Sequence, residues 1–133
     1  MYLSIGVGAI LSMAFGFLWY GPLFGTLWKT AMGITPEIEV GMKATMAKKF
    51  GINFAGQLVT GFVIYTLFRM TGVTTALGAV ELVTLIWFGC ILPLEVSGAV
   101  WAKTPSWSLF YLHNGHTIIT YCIMALSIIF IGQ

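Results

Sequence analysis

The sequence predicts an all-α integral membrane protein, a four-helix bundle built from two antiparallel transmembrane hairpins. Of its 133 residues, 59% are hydrophobic and 8% are charged, whereas a soluble domain carries about 25% charged residues. A helix needs about 20 mainly apolar residues to cross the hydrocarbon core. Four stretches reach that length and together form one transmembrane domain, at 2–28, 50–69, 75–102 and 106–132. The net charge of +2 excludes a nucleic-acid-binding patch.

The distribution of basic residues predicts the orientation of the chain in the bilayer. The first and third connections carry Lys29, Lys43, Lys48, Lys49 and Lys103. The positive-inside rule therefore places these two connections in the cytoplasm and both termini on the outer side, which in a bacterium means the inner membrane. The N-terminus lacks a basic leader and its apolar run is too long for a signal peptide, so we expect the first span to remain in the mature protein.

Two Thr-Pro pairs predict helix starts. Thr35 followed by Pro36 is typical of an N-cap with proline at the first helical position, and we expect a short amphipathic cytoplasmic helix there, between spans one and two. Its apolar stripe repeats at helical spacing through Ile38, Met42, Met46 and Phe50. Thr104 followed by Pro105 predicts a similar start for span four.

Span one carries a small residue at every fourth position, namely Ser4, Gly8, Ser12 and Gly16. Membrane helices associate without a hydrophobic driving force, and small residues in this register let their backbones approach closely. The stripe therefore predicts a packing face, in preference to the lining of a pathway.

Spans one and three resemble each other. The first contains WYGP from Trp19, and the third contains WFG from Trp87 with Pro93 close behind. This likeness predicts two hairpins related by an axis along the membrane normal. The two prolines should kink or locally open their helices, because proline lacks an N–H and clashes with the preceding turn.

A layer of polar side chains is predicted at one depth across the four spans. Glu95 lies nine positions before Thr104 and His113 lies nine after it, so both sit roughly 13 Å from the inner end of their hairpin. Ionisable groups inside a membrane face the bundle interior and find partners, so we expect Glu95 to pair with His113. The other members of the predicted polar pocket are Tyr20, Asn53, Gln57, Asn114 and His116.

The other carboxyl group of span three, Glu81, needs a partner of its own. It lies near the outer end of span three, and Arg69 ends span two on the same side of the membrane. We expect these two side chains to form an ion pair across the second connection.

Several functions remain open for the polar layer. It could hold helix register in a structural or accessory subunit, and a bundle of only four spans favours self-association or membership of a larger membrane complex. It could instead bind or pass a small molecule or a proton. Glu95, His113 and His116 are candidate metal ligands, or a histidine could ligate a pigment or haem shared with a neighbour. Acid–base catalysis by Glu95 and His113 would need a nucleophile or activated water that the sequence does not identify, so an enzyme ranks last.

The segment GFLWYGPLFG from Gly16, followed by Trp28-Lys29 and Met32-Gly33, is distinctive. It resembles the N-terminal signature, WYGPLFG, of a family of small bacterial four-span integral membrane proteins described only as a domain of unknown function. The LFYL segment from Leu109 is similar to the family's less specific pattern in the last span, although His116 stands where a tyrosine is more usual. The resemblance covers nearly the whole chain and implies membrane location and fold. It implies no reaction, cofactor or catalytic residue.

Overall fold

The computed structural model describes residues 1–132, which form helices and no strand. Span one consists of α1 (Tyr2–Leu18) and a π-helical turn (Trp19–Leu23), and α2 (Gly25–Met32) and α3 (Pro36–Lys43) follow it. Span two is α4 (Met46–Thr71). Span three consists of α5 (Ala76–Ile86), a second π-helical turn (Trp87–Ile91) and α6 (Leu92–Trp101), and span four is α7 (Trp107–Ile131). Within the described residues, four helices are long and apolar enough to cross a membrane, as the sequence predicts.

The ends of three spans differ from the sequence-based bounds. Span one stops at Leu23 instead of residue 28, because Phe24 leaves the helical region of backbone space (φ −125°, ψ 14°) and α2 starts afresh. Span two begins earlier, at Met46. Span four is capped by Ser106, whose hydroxyl accepts from Leu109 N at 3.3 Å, so the prediction of a cap at Thr104 is wrong.

The short helix predicted between spans one and two is present as α3. Thr35 caps it by accepting a hydrogen bond from Ile38 N at 3.4 Å, and Pro36 occupies the first helical position, as predicted. The apolar stripe is divided, however, because α3 ends at Lys43 and α4 begins only at Met46. Positive φ angles end two other helices, α2 at Gly33 (66°) and α4 at Gly72 (71°), in the left-handed conformation that glycine adopts without steric cost.

Span four is the central element of the bundle. α7 packs against α1, α4 and α5, and α1 also packs against α4, so span three attaches to the cluster mainly through span four. The hydrophobic core lies toward the end of the bundle that holds Met1, Gly72 and Gly132, which we call the terminal end. At the opposite end, which carries α3 and the 102–106 connection and which we call the loop end, α6 and the first half of α4 are largely exposed.

The helices pack closely around Met124, which is fully buried. A Cβ atom added at Gly8 would lie 2.5 Å from Met124 Sδ, and one added at Gly61 would lie 2.8 Å from the same sulfur. Ser4, Gly8 and Ser12 are all buried, which confirms that the small-residue stripe of span one is a packing face.

Both predicted helix distortions are present as π-helical turns. In the first, Phe24 N donates to Trp19 O at 2.9 Å, a bond that spans five residues instead of four. Pro22 lies inside this turn and Pro93 comes after the second one, within the first turn of α6. The turns begin at corresponding tryptophans, Trp19 and Trp87, of the two similar segments. In span three the extra residue of the second turn rotates α6 by about 100° relative to a continuous α-helix.

Candidate functional site

The first π-helical turn is attached to α7 by two successive side chains. Trp19 Nε1 donates a hydrogen bond to the carbonyl oxygen of Leu112 at 3.1 Å. The Tyr20 hydroxyl lies 2.7 Å from Nδ1 of His113. Because these contacts reach successive residues of α7, they fix both the height and the rotation of span one against span four.

His116 lies one turn further along the same side of α7. Its ring stacks on Phe15, with centroids 5.7 Å apart and planes inclined by 12°, and its centroid is 5.0 Å from that of Tyr20. Its Nε2 atom is 3.5 Å from Thr120 Oγ1. Gly16 leaves room for the imidazole, since a Cβ there would lie 3.2 Å from Nε2. The sequence predicts both histidines and Tyr20 in one pocket, and the structure brings the three together.

Glu95 is not part of this cluster. Its side chain is exposed, and within residues 1–132 it forms no hydrogen bond or ion pair. The expected hydrogen bond or close ion pair between Glu95 and His113 is therefore not formed, although the charge of Glu95 still acts on His113. The hydroxyl of Tyr20 is the hydrogen-bond partner of the imidazole instead. Glu95 and His113 can lie at similar heights and still face different directions, and the second π-helical turn, which precedes Glu95, changes the direction in which Glu95 faces.

The amide side chains of the predicted pocket have three different environments. Asn53 is exposed on α4, whereas Gln57 is half-buried with its Oε1 atom enclosed and unpartnered in the described residues. Asn114 is 5% exposed; its Nδ2 donates to the carbonyl oxygen of Phe110 at 3.0 Å, and its Oδ1 has no partner in the described part of the chain. Asn114 points away from the histidine cluster and lines a groove between spans three and four.

The predicted ion pair between Arg69 and Glu81 is not formed within residues 1–132. Both side chains are exposed. Arg69 lies in the last turn of α4, where the free carbonyl groups of a helix end favour a cation.

An ion pair that the sequence analysis missed joins α2 to α3. Lys29 Nζ donates to Glu39 Oε1 at 2.8 Å across the turn that Gly33 makes. The hydrogen bond and the positive charge of Lys29 lower the pKa of Glu39. The sequence contains a signal for this pair: Lys29 comes shortly before the glycine that ends α2, and Glu39 comes shortly after the Thr-Pro pair that begins α3.

The three candidate metal ligands do not converge. Across the described residues, no group of three or more His, Cys, Asp or Glu side chains could hold a metal ion. The residues that complete the observed cluster are Phe15 and Trp19, which the sequence analysis did not assign to it. The sequence signal for these residues is a proline, Pro22, close behind adjacent Trp and Tyr residues. Proline can open a helix, and π-helical turns are frequent at functional sites.

Comparison with known proteins supports the assignment of the chain as a membrane protein. A family model described as "Protein of unknown function (DUF1761)" matches residues 3–129. A "UPF0591 membrane protein" from the fission yeast Schizosaccharomyces pombe is 37% identical over 79 residues. That match covers 57% of this chain and 53% of the relative, so the chain spans about half the length of the curated relative it matches. No solved structure shows a significant match.

Proposed function

Because the chain belongs to the DUF1761 family, we propose that this membrane protein is a structural or accessory subunit of a larger membrane assembly, made with other copies of itself or with other membrane proteins. The observation that carries the proposal is Glu95, an exposed carboxyl group within span three that forms no hydrogen bond or close ion pair in the described residues. A charged side chain deep in a bilayer costs roughly 2.5–3.5 kcal/mol and faces protein or water rather than acyl chains. A neighbouring subunit that covers Glu95 removes this cost.

The uneven packing of the bundle supports the same proposal. At the loop end, the first half of α4 exposes Asn53, and α6 exposes Glu95 and Ser97. At the terminal end, by contrast, the helices enclose Met124, Val83 and Ala125 completely. A membrane surface that carries amide, carboxyl and hydroxyl groups is suited to another polar surface, because interhelical hydrogen bonds hold membrane helices together.

We also propose an orientation of the chain in the membrane. Lys43, Lys48 and Lys49 lie near the start of α4, where the two adjacent lysines at 48 and 49 are exposed. We place this first connection and the third in the cytoplasm, with Met1 outside. The α3 helix then lies at the cytoplasmic interface of the two hairpins, and its exposed Ile38 side chain reaches toward the lipid headgroups. In a bacterial cell the membrane is the inner membrane.

Site-specific crosslinking tests the assembly. In a variant with Cys90→Ser and Cys122→Ser, Glu95→Cys is introduced and the protein is oxidised in native membranes. We expect a crosslinked species well above the 14.5 kDa monomer. The control is Met70→Cys, at a side chain that is 78% exposed at the terminal end, which should crosslink less. A strictly monomeric mass in polymer-extracted native nanodiscs, with no other protein bound, contradicts the proposal.

A second candidate function is proton-coupled binding or transport. The observation that favours it is the hydrogen bond between Tyr20 and His113, since two groups that exchange protons meet inside the membrane next to His116. A proton flux assay in proteoliposomes separates the two functions. His113→Gln abolishes flux if the protein is a transporter and leaves crosslinking at position 95 unchanged if it is a subunit.

A further inference from the structure

The charged side chains of the sequence are divided unevenly between the two ends of the bundle. The loop end carries all five lysines of the chain together with two of its glutamates, Glu37 and Glu39. The terminal end carries the arginine, Arg69, and one glutamate, Glu81. The loop end therefore has an excess of positive charge, whereas the charged side chains of the terminal end balance.

Three of the lysines lie close together in the first connection. Lys43 ends α3, and Lys48 and Lys49 lie in the first turn of α4, with only residues 44–45 between the two helices. We call these three residues the lysine cluster. Their side chains are exposed, and none of them forms a hydrogen bond or close ion pair within the described residues.

The two glutamates of the loop end leave the lysine cluster largely uncompensated. Glu39 is held by Lys29 Nζ at 2.8 Å, and the charge of Lys43 acts on it more weakly. Glu37 lies in the first turn of α3, at the opposite end of that helix from Lys43. Lys103, on the third connection, is exposed and adds a further cation to the same end of the bundle. The excess charge therefore attracts anions from outside the chain.

The length of span two indicates the depth of the lysine cluster in the membrane. α4 has 26 residues and is about 39 Å long, whereas the hydrocarbon core is about 30 Å thick. A helix of this length that is centred on the core extends about 4–5 Å beyond it at each end, which is about three residues. We therefore expect Lys48 and Lys49 where the acyl chains meet the headgroups, and Lys43, which precedes α4, on the headgroup side.

Apolar side chains beside the lysine cluster favour a lipid surface over an acidic protein as its partner. Ile38 and Val40 on α3 are 50% and 68% exposed, and Trp101, which ends α6 at the same end of the bundle, is 86% exposed. Lysine next to exposed apolar and tryptophan side chains is typical of segments at the membrane interface. The partner that fits both features is a lipid, whose charged headgroup adjoins apolar chains.

We propose that the lysine cluster binds anionic phospholipids and collects them at the loop end of the bundle. The ammonium groups donate hydrogen bonds to the phosphate oxygens, and each lysine near an anionic surface contributes about a fivefold preference for it. A zwitterionic lipid also has a phosphate, but the positive group of its own headgroup cancels the charge. This interaction does not involve Glu95, so it stands independently of the proposed subunit function, and it requires neither orientation of the chain.

Native mass spectrometry of the full chain tests the proposal. The protein in a non-ionic detergent takes up phosphatidylglycerol or phosphatidylcholine with identical acyl chains, and the apparent Kd of the first bound lipid is measured. We expect phosphatidylglycerol to bind at least about tenfold more tightly. Raising the salt from about 0.05 M to about 0.5 M should bring the difference below about threefold, because salt screens exposed charges. Equal affinities, or a preference that salt does not change, overturn the proposal.

Variants assign the preference to the lysine cluster. Lys48→Gln combined with Lys49→Gln removes two charges and should bring the preference for phosphatidylglycerol below about threefold, whereas Lys48→Arg combined with Lys49→Arg keeps the charges and should keep the preference. The control is Arg69→Gln, which removes the exposed cation of the terminal end and should leave the preference unchanged. An unchanged preference in the glutamine variant, or an equal loss in Arg69→Gln, overturns the proposal.

The unmodified protein gives a second readout, which matters because loop lysines also set the orientation of a membrane protein. The glutamine variant could insert the other way round, whereas the natural chain in polymer-extracted native nanodiscs keeps its own orientation. We expect the lipid in these nanodiscs to be enriched in anionic phospholipid relative to the whole membrane, as measured by lipid mass spectrometry. A lipid composition equal to that of the whole membrane, or an acidic protein retained in place of anionic lipid, overturns the proposal.

Discussion

The hydroxyl of Tyr20 and the Nδ1 atom of His113 are 2.7 Å apart and connect the π-helical turn of span one to the second turn of span four. His113 is thus held from span one and not by the carboxyl group of Glu95 in span three. The widened turn makes this possible, since it presents Trp19 and Tyr20 to the same helix.

Removing the tyrosine hydroxyl should weaken the contact between spans one and four. Tyr20→Phe keeps the ring against His116 and deletes one hydrogen bond, so we expect a loss of about 0.6–1.5 kcal/mol in the free energy of unfolding. Tyr2→Phe is the control, because Tyr2 is 83% exposed and its replacement should leave stability unchanged. The measurement is reversible unfolding in mixed micelles with increasing SDS. Equal stabilities of the two variants would show that the hydrogen bond contributes nothing.

A methyl group at Gly61 should disturb the packing around Met124. The added Cβ would lie 2.7 Å from Ile5 Cγ2 and 2.8 Å from Met124 Sδ, so both side chains must move. Overpacking of this kind costs about 1–3 kcal/mol. Gly56→Ala on the same helix is the matched control, because nothing lies within 4 Å of its added Cβ. Thermal unfolding in nanodiscs should rank the Gly61 variant well below the control; the reverse order contradicts the observed packing.

Two buried serines of α1 should respond differently to replacement by alanine. Ser4 Oγ donates to Met1 O at 2.7 Å, whereas Ser12 Oγ has no partner in the described residues. Ser4→Ala therefore loses a hydrogen bond and should destabilise by about 1 kcal/mol, while Ser12→Ala removes an unsatisfied group and should be neutral or stabilising. The measurement is the free energy of unfolding of each variant, compared with that of the unmodified protein. A clear loss of stability in Ser12→Ala would mean that its hydroxyl has a partner in the native membrane.

The ion pair in the first connection should depend on pH. Lys29 lowers the pKa of Glu39, so the carboxylate stays charged below the usual value of 4.5. The contribution of a lowered pKa to stability is complete above the unfolded-state pKa and is lost as pH falls through the folded-state pKa. Carboxyl-carbon NMR of Glu39 should show a midpoint below that of an unpaired glutamate, and Lys29→Met should move the midpoint up. High salt should also move the midpoint up, because salt screens the attraction between two partly exposed charges. An unchanged midpoint in Lys29→Met would contradict the pair.

The sequence predicts the number of spans and the local signals that act within a few residues. Hydropathy gives the four helices, and the Thr35 cap reflects the preference of a hydroxyl for free N–H groups at a helix start. The prolines at 22 and 93 give the positions at which spans one and three depart from α-helical geometry.

Rotation about the helix axis could not be predicted in the same way. Counting residues gives the depth of Glu95 and His113, but a single extra residue in the Trp87–Ile91 turn changes which way Glu95 faces. The partner of His113 lies on a different helix, 93 residues earlier in the chain, and only tertiary packing selects it. The break at Phe24 is similarly invisible in hydropathy, because the apolar composition continues past it.

The close fit of Gly8 and Gly61 around Met124 restricts which substitutions these three positions can accept during evolution. A bulkier residue at either glycine and a long side chain at 124 exclude each other, since all three compete for one volume between spans one, two and four. Among homologous chains, positions 8, 61 and 124 should therefore vary jointly: enlargement at a glycine position should be accompanied by shortening at the methionine.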